Sequence, residues 1–115
     1  MGDIEKLTNL IREFSNKRDW KQFHNMKDLA ISLNLEAAEV LEHFQWKSKE
    51  EIEEYIKTHK QHIGEELSDV LYWVLMMNDD LGIDVVKAFE EKMKKNEEKY
   101  PVDKVKSKHT KYDRF

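Results

Sequence analysis

Apolar residues recur along this chain at spacings of three and four, and in four stretches they gather on one side of a helix. Near the start, Ile4, Leu7, Ile11 and Phe14 form such a stripe, with Asp3 as N-cap and an end near Asn16. A second helix is predicted from Lys27 to Phe44. At about 100° per residue, its Leu29, Leu33, Val40 and Phe44 fall within about 60° of one another. Ser48 then reads as the N-cap of a short charged helix over 50–58, with Glu51 completing a capping box and Ile52, Tyr55 and Ile56 as a thin stripe. The third long helix, about His62 to Leu81, carries Ile63, Leu67, Val70, Val74, Met77 and Leu81 on one line. Gly82 fits its C′ position, and Asp84 caps a fourth helix from Val85 to about Lys99, which stops before Pro101. The pattern predicts an all-α fold, a four-helix bundle-type subunit with a short extra helix. The domain spans residues 1–102, and 103–115 form a basic tail, flexible or docked on a partner, with no clear periodicity.

Polar residues interrupt these stripes at informative places. Glu36 lies at the edge of the apolar arc of the second helix, about 20° from Leu29, and Glu39 lies about 60° further round the same side. A carboxylate on a core-facing side needs a cation or strong donors, or its pKa rises. The bland alternative is a salt bridge to Lys or Arg at the core edge. Ile31, Leu35 and Ala38 make a second apolar patch on the opposite face, which places the helix either centrally or at a subunit interface. On the third helix Glu66, Trp73 and Asp80 run beside the core stripe, with Asp69 just beyond and Glu65 turned further toward solvent. On the fourth, Lys92 and Asn96 share a face with Val85, Phe89, Met93 and Tyr100. They either snorkel and cap neighbours or meet an anion held by the acids.

Composition narrows the class. Apolar residues make up 39% and charged residues 38%, with only 3 Gly and 1 Pro, which favours solvated helices whose core is completed by association. Without Cys there are no thiolate metal sites. No run approaches the ~20 apolar residues of a membrane span, and the first residues do not begin a signal peptide, so the cytoplasm is the expected location. The net charge of −4 is uneven, because residues 104–115 hold five basic groups against one acid. The acidic remainder argues against a nucleic-acid polymer as partner.

Four acids spaced i, i+3 on two helices can converge on one cavity. Oxygen-only ligands favour Mg²⁺ or Mn²⁺ over zinc. The pair His59 and His62 lacks a third partner nearby and is a poor zinc site. Such a centre polarises phosphoryl oxygens and activates water. The connector aromatics Trp20, Phe23 and Trp46 either close the ends of the core or stack on a planar base. These pieces point to nucleotide phosphate hydrolysis. Spacing alone does not separate it from a carboxylate-bridged iron site, although the Glu-x-x-His motifs typical of that class are missing from the acid pairs.

The segments Arg18-Asp-Trp-x-x-Phe-His24, Glu36-x-x-Glu39 leading to Phe44-Gln-Trp46, Glu65-Glu-Leu-Ser-Asp-Val-Leu71 and Lys92-x-x-x-Asn-x-x-Lys-Tyr-Pro101 resemble the MazG-like all-α nucleotide pyrophosphohydrolases, most of all the dCTP pyrophosphatase branch. Together they cover about residues 4–112 in the family's order. The resemblance implies cleavage of a (deoxy)nucleoside triphosphate, dCTP-like or a modified pyrimidine, to monophosphate and pyrophosphate. It makes Glu36, Glu39, Glu66 and Asp69 the Mg²⁺ ligands and gives Lys92 and Asn96 the phosphates. It sets Trp20, His24 and Trp46 around the base, with Trp73 where relatives often carry Tyr or another residue. It also implies a homodimer or homotetramer. A phosphoribosyl-nucleotide pyrophosphohydrolase and a non-catalytic helical interaction protein are the competing readings.

Overall fold

A computed structural model describes residues 2–105, which are helical apart from their connectors and contain no strand. The helices are α1 (Asp3–Lys17), α2 (Met26–Glu42), α3 (Lys49–Asp80), α4 (Val85–Lys99) and the one-turn α5 (Val102–Val105), with a 3-10 turn at Lys21–Phe23. The chain divides into two compact units, Met1–Gly82 and Ile83–Phe115. Most of the predicted tail, residues 106–115, lies outside the described residues, and its first part forms α5.

The 32-residue α3 is the spine of the first unit, about 48 Å long at 1.5 Å per residue. It absorbs both the predicted short helix and the predicted third helix. Its start is as expected: the Ser48 hydroxyl accepts from Glu51 N–H, and the Glu51 carboxylate accepts from Ser48 N–H. The predicted break near Thr58 does not occur because no Pro interrupts the backbone ladder and Tyr55 stacks on His59 one turn later, with ring centroids 3.9 Å apart. Antiparallel packing follows from cross-contacts: Glu36 faces Asp69, Glu39 faces Glu66 and His43 faces His62, each step forward on α2 matching a step back on α3. α1 lies along the far half of α3, joined by Phe14 against Tyr72 and by Arg12 on Asp79.

With partners on two sides, α3 does not bury the single predicted stripe. Leu75 and Met76 are its most buried residues, while Leu67 and Leu81 are about half exposed at 52% and 53%. Leu29 and Ile11 anchor α2 and α1 in the same interior. Within the first unit the opposite face of α2 is uncovered, with Ile31 at 46% and Leu35 at 59% exposure. A central position for α2 within this unit is therefore excluded.

The helix ends are also specific. Gly2, not Asp3, precedes the first helical residue, and Asp3 supplies a first-turn acid instead. Asn25 caps α2 by accepting from Asp28 N–H. In the second unit Asp84 caps α4 by accepting from Lys87 N–H, as predicted. Gly82 adopts φ +68° after α3, the left-handed C′ geometry its position implied.

Candidate active site

Antiparallel packing of α2 on α3 brings the two acid pairs face to face. Carboxylate oxygens of Glu36, Glu39 and Glu66 lie within 4.8 Å of one another, and Asp69 acts electrostatically on both Glu36 and Glu66. Among the described residues, no Lys or Arg forms an ion pair with any of the four. Glu36 Oε2 is buried without a hydrogen-bond partner. Burial, then the neighbouring Glu39, Asp69 and Glu66 carboxylates, push Glu36 up to about 7. Contact with Glu39, then burial, raises Glu66, and His62 one turn earlier on α3 opposes that rise.

An orphaned buried oxygen among clustered carboxylates is an arrangement that suits cation binding. The Glu36, Glu39 and Glu66 carboxylates, with Asp69 beside them and no thiolate among them, suit a hard divalent cation.

Beside the acids, within the first unit, opens a cleft of about 470 Å³. Glu36 and Asp69 form its acidic edge, Phe14, Trp20, Tyr72 and Trp73 its aromatic walls, and Leu10 and Ile11 the remainder. Phe14 meets Trp20 edge-on at 5.5 Å and Tyr72 at 6.2 Å, and Tyr72 meets Trp73 at 4.9 Å. Burial raises the Tyr72 hydroxyl pKa. Local chemistry at the end of α1 sets the position of Trp20. Asp19 takes φ +53°, Trp20 N–H donates to Ser15 O and Asp19 N–H to Asn16 O, a Schellman closure with Asp in the left-handed place usually given to Gly. The Arg18 guanidinium lies 3.9 Å over the Phe14 ring and donates to Phe14 O, bracing the same corner.

Of the residues singled out in the sequence, Glu36, Glu39, Glu66 and Asp69 come together, and Trp20 and Trp73 line the cleft. His24 does not line it; its Nδ1 lies 2.9 Å from Asp80 Oδ2. Trp46, beyond the end of α2, is 86% exposed and also outside the cleft. Lys92 and Asn96 stand one turn apart on α4, in the second unit, where the Asn96 amide reaches Met93 Sδ at 3.8 Å. Sequence reasoning missed Phe14 and Tyr72. Phe14 belongs to a stripe that read as ordinary core, yet it is 42% exposed, and Tyr72 carried the signal of a second aromatic beside Trp73. His43, buried at 9% exposure, was also missed. It hydrogen-bonds the Tyr55 hydroxyl and packs against His62 below the acids.

A family described as MazG-like matches residues 31–115. The dCTP pyrophosphatase 1 of Rattus norvegicus is 36% identical over 101 residues, covering 86% of this chain and 59% of that protein. The human dCTP pyrophosphatase 1 is 33% identical over 111 residues, 95% of this chain and 65% of its own length. The chain thus spans about three fifths of the length of the curated relatives it matches. The crystal structure of a pyrophosphatase from Archaeoglobus fulgidus DSM 4304 superposes with a TM-score of 0.82 at 40% identity, covering 88% of this chain and 94% of that one.

Proposed function

The chain belongs to the MazG-like family, and from that premise we propose that it is a divalent-cation-dependent pyrophosphohydrolase of (deoxy)nucleoside triphosphates. It takes dCTP-like or modified pyrimidine nucleotides, releases monophosphate and pyrophosphate, and clears such nucleotides from the cytoplasmic pool. The observation that carries this reading is the junction of an aromatic cleft with the cluster of Glu36, Glu39 and Glu66 and with Asp69 beside it. The names of the rat and human relatives and of the archaeal structure support the same reaction class.

Glu36, Glu39, Glu66 and Asp69 hold Mg²⁺ or Mn²⁺ in this reading. Bound there, such a cation would supply Lewis-acid polarisation of phosphoryl oxygens and a metal-activated water. The chain's own residues do the rest. Glu36, raised to about 7 by burial and the neighbouring carboxylates, holds a proton part of the time near neutrality and would have to lose it to ligate a cation. Trp20 and Trp73, with Phe14 and Tyr72, take the base between ring faces and keep water from that side. Lys92 and Asn96 keep the proposed phosphate role that their motif implies. Trp46 keeps the proposed base role through an assembly of copies, since it lies outside the cleft of its own chain. A homodimer or homotetramer is supported by the open apolar face of α2.

The missing ion pairs weigh against a purely structural role for the acids. The test is a panel of ordinary and 5-substituted deoxynucleotides with Mg²⁺ or Mn²⁺, read by pyrophosphate release. Turnover of at least one pyrimidine triphosphate is expected. No turnover of any with either cation, or preference for a phosphoribosyl-nucleotide, overturns the proposal.

A further inference from the structure

We propose that His24 is a positioning residue, whose hydrogen bond to Asp80 holds the connector between α1 and α2 so that Trp20 stands in the cleft. The proposal rests on the reading of that cleft as the base site.

The connector runs from Arg18 to Asn25 and is exposed along most of its length, Phe23 reaching 70%. Most of its hydrogen bonds are local. Trp20 N–H donates to Ser15 O, Gln22 donates to Asp19, and Asn25 serves the first turn of α2. Among the described residues, the side-chain hydrogen bond that ties it to α3 is His24 to Asp80. Both side chains are largely withdrawn from water, at 14% and 10% exposure, so breaking the pair leaves a desolvated acceptor. A carboxylate only accepts, which places the shared proton on Nδ1 and fixes the ring orientation.

The geometry explains why this bond matters to the cleft. Asp80 lies seven residues after Trp73 on α3, two turns along the same face and about 10 Å away. His24 lies four residues after Trp20, at the end of the 3-10 turn that begins there. One hydrogen bond therefore links the strip of α3 carrying one aromatic wall to the connector carrying the other. Behind it sits a polar cavity of about 80 Å³, which includes Ser15, whose hydroxyl is buried without a partner, and the Arg12–Asp79 pair. His24 and Asp80 both line this cavity, so their hydrogen bond, and not close packing, restrains the ring.

The experiment uses the full chain labelled with 5-fluorotryptophan, whose three indoles give ¹⁹F signals assigned by Trp→Phe substitutions at 20, 46 and 73. In His24→Ala and Asp80→Ala the Trp20 signal is expected to shift and broaden while the Trp46 signal stays in place. His24→Asn, which keeps a short N–H donor, should restore it. In kinetics each single variant should raise KM about tenfold with kcat within about twofold, and the double variant should be no worse than either single. His24→Phe, which keeps the ring volume and loses the donor, serves the same comparison where His24→Ala lowers the helical CD signal. An unmoved Trp20 signal in the folded variants, or a double variant whose KM multiplies the single effects, overturns the proposal. The ¹⁹F readout needs no turnover, so it decides the matter even if the proposed activity fails.

Discussion

At Glu36 the chain sets a carboxylate where burial, Glu39, Asp69 and Glu66 all oppose its charge. Because its pKa rises from 4.5 to about 7 on folding, the native state holds more protons than the unfolded one across that interval. Stability without cations therefore falls as pH climbs through this window, and the penalty is fully expressed above it; Glu66 acts in the same direction. Glu51, lowered by hydrogen bonds from Ser48, and Asp79, lowered by hydrogen bonds from Arg12, act oppositely, but only below 4.5 and 3.8 respectively. In chelator, the melting temperature should be higher at pH 5.5 than at pH 8, and Mg²⁺ at pH 8 should recover most of the difference. A pH-independent melting temperature that ignores Mg²⁺ contradicts this account of the acids. Glu36→Gln removes the crowded charge. It should raise cation-free stability by about 1 kcal/mol while lowering turnover at least about a hundredfold, seen by paired denaturation and pyrophosphate assays. These residues were legible in the sequence because acids on an apolar arc are anomalous by themselves.

Helix ends and interruptions show where the element scale was legible and where it was not. Ser48 with Glu51, Asp84 and Gly82 announced themselves, since each satisfies backbone groups or adopts φ by its own local chemistry. The merging of two predicted helices into α3 was not visible, because a thin stripe over Ile52, Tyr55 and Ile56 looks like a separate strut until its packing on α2 is known. The pairing of His24 was not visible for a related reason: its partner Asp80 lies 56 residues away, and no local pattern pairs them. Two substitutions test the helix chemistry by thermal or urea denaturation. Gly64 is in mid-helix with nothing within 4 Å of an added Cβ, so Gly64→Ala should stabilise by about 0.5–1 kcal/mol. Gly82 has equal space but φ +68°, so Gly82→Ala should cost about 1 kcal/mol through backbone strain alone. Equal responses at the two sites would show that the backbone conformation assigned to Gly82 is wrong.

For the whole molecule the main physical fact is how little a single chain buries. Among the described residues, Ile11, Leu29, Leu75 and Met76 make up the buried apolar set, while Leu10, Phe23, Leu35, Leu41, Trp46 and Phe89 each leave half or more of their surface in water. These exposed apolar residues support the proposed assembly of copies. Ile31→Glu combined with Leu35→Glu should move the solution mass by light scattering toward that of one chain and lower the melting temperature. An unchanged mass would remove the α2 face from the interface. The sequence pointed to this face through its second stripe, but it could not say whether another part of the chain or another copy covers it; the fold excludes cover within the first unit. The central claim, that the acid cluster and the aromatic cleft form one nucleotide pyrophosphohydrolase site, is tested most directly by following dCTP with Mg²⁺ by ³¹P NMR. Equal amounts of dCMP and pyrophosphate are expected from the unaltered chain, and no product from Glu36→Gln. Release of orthophosphate with dCDP, or equal turnover by Glu36→Gln, would contradict it.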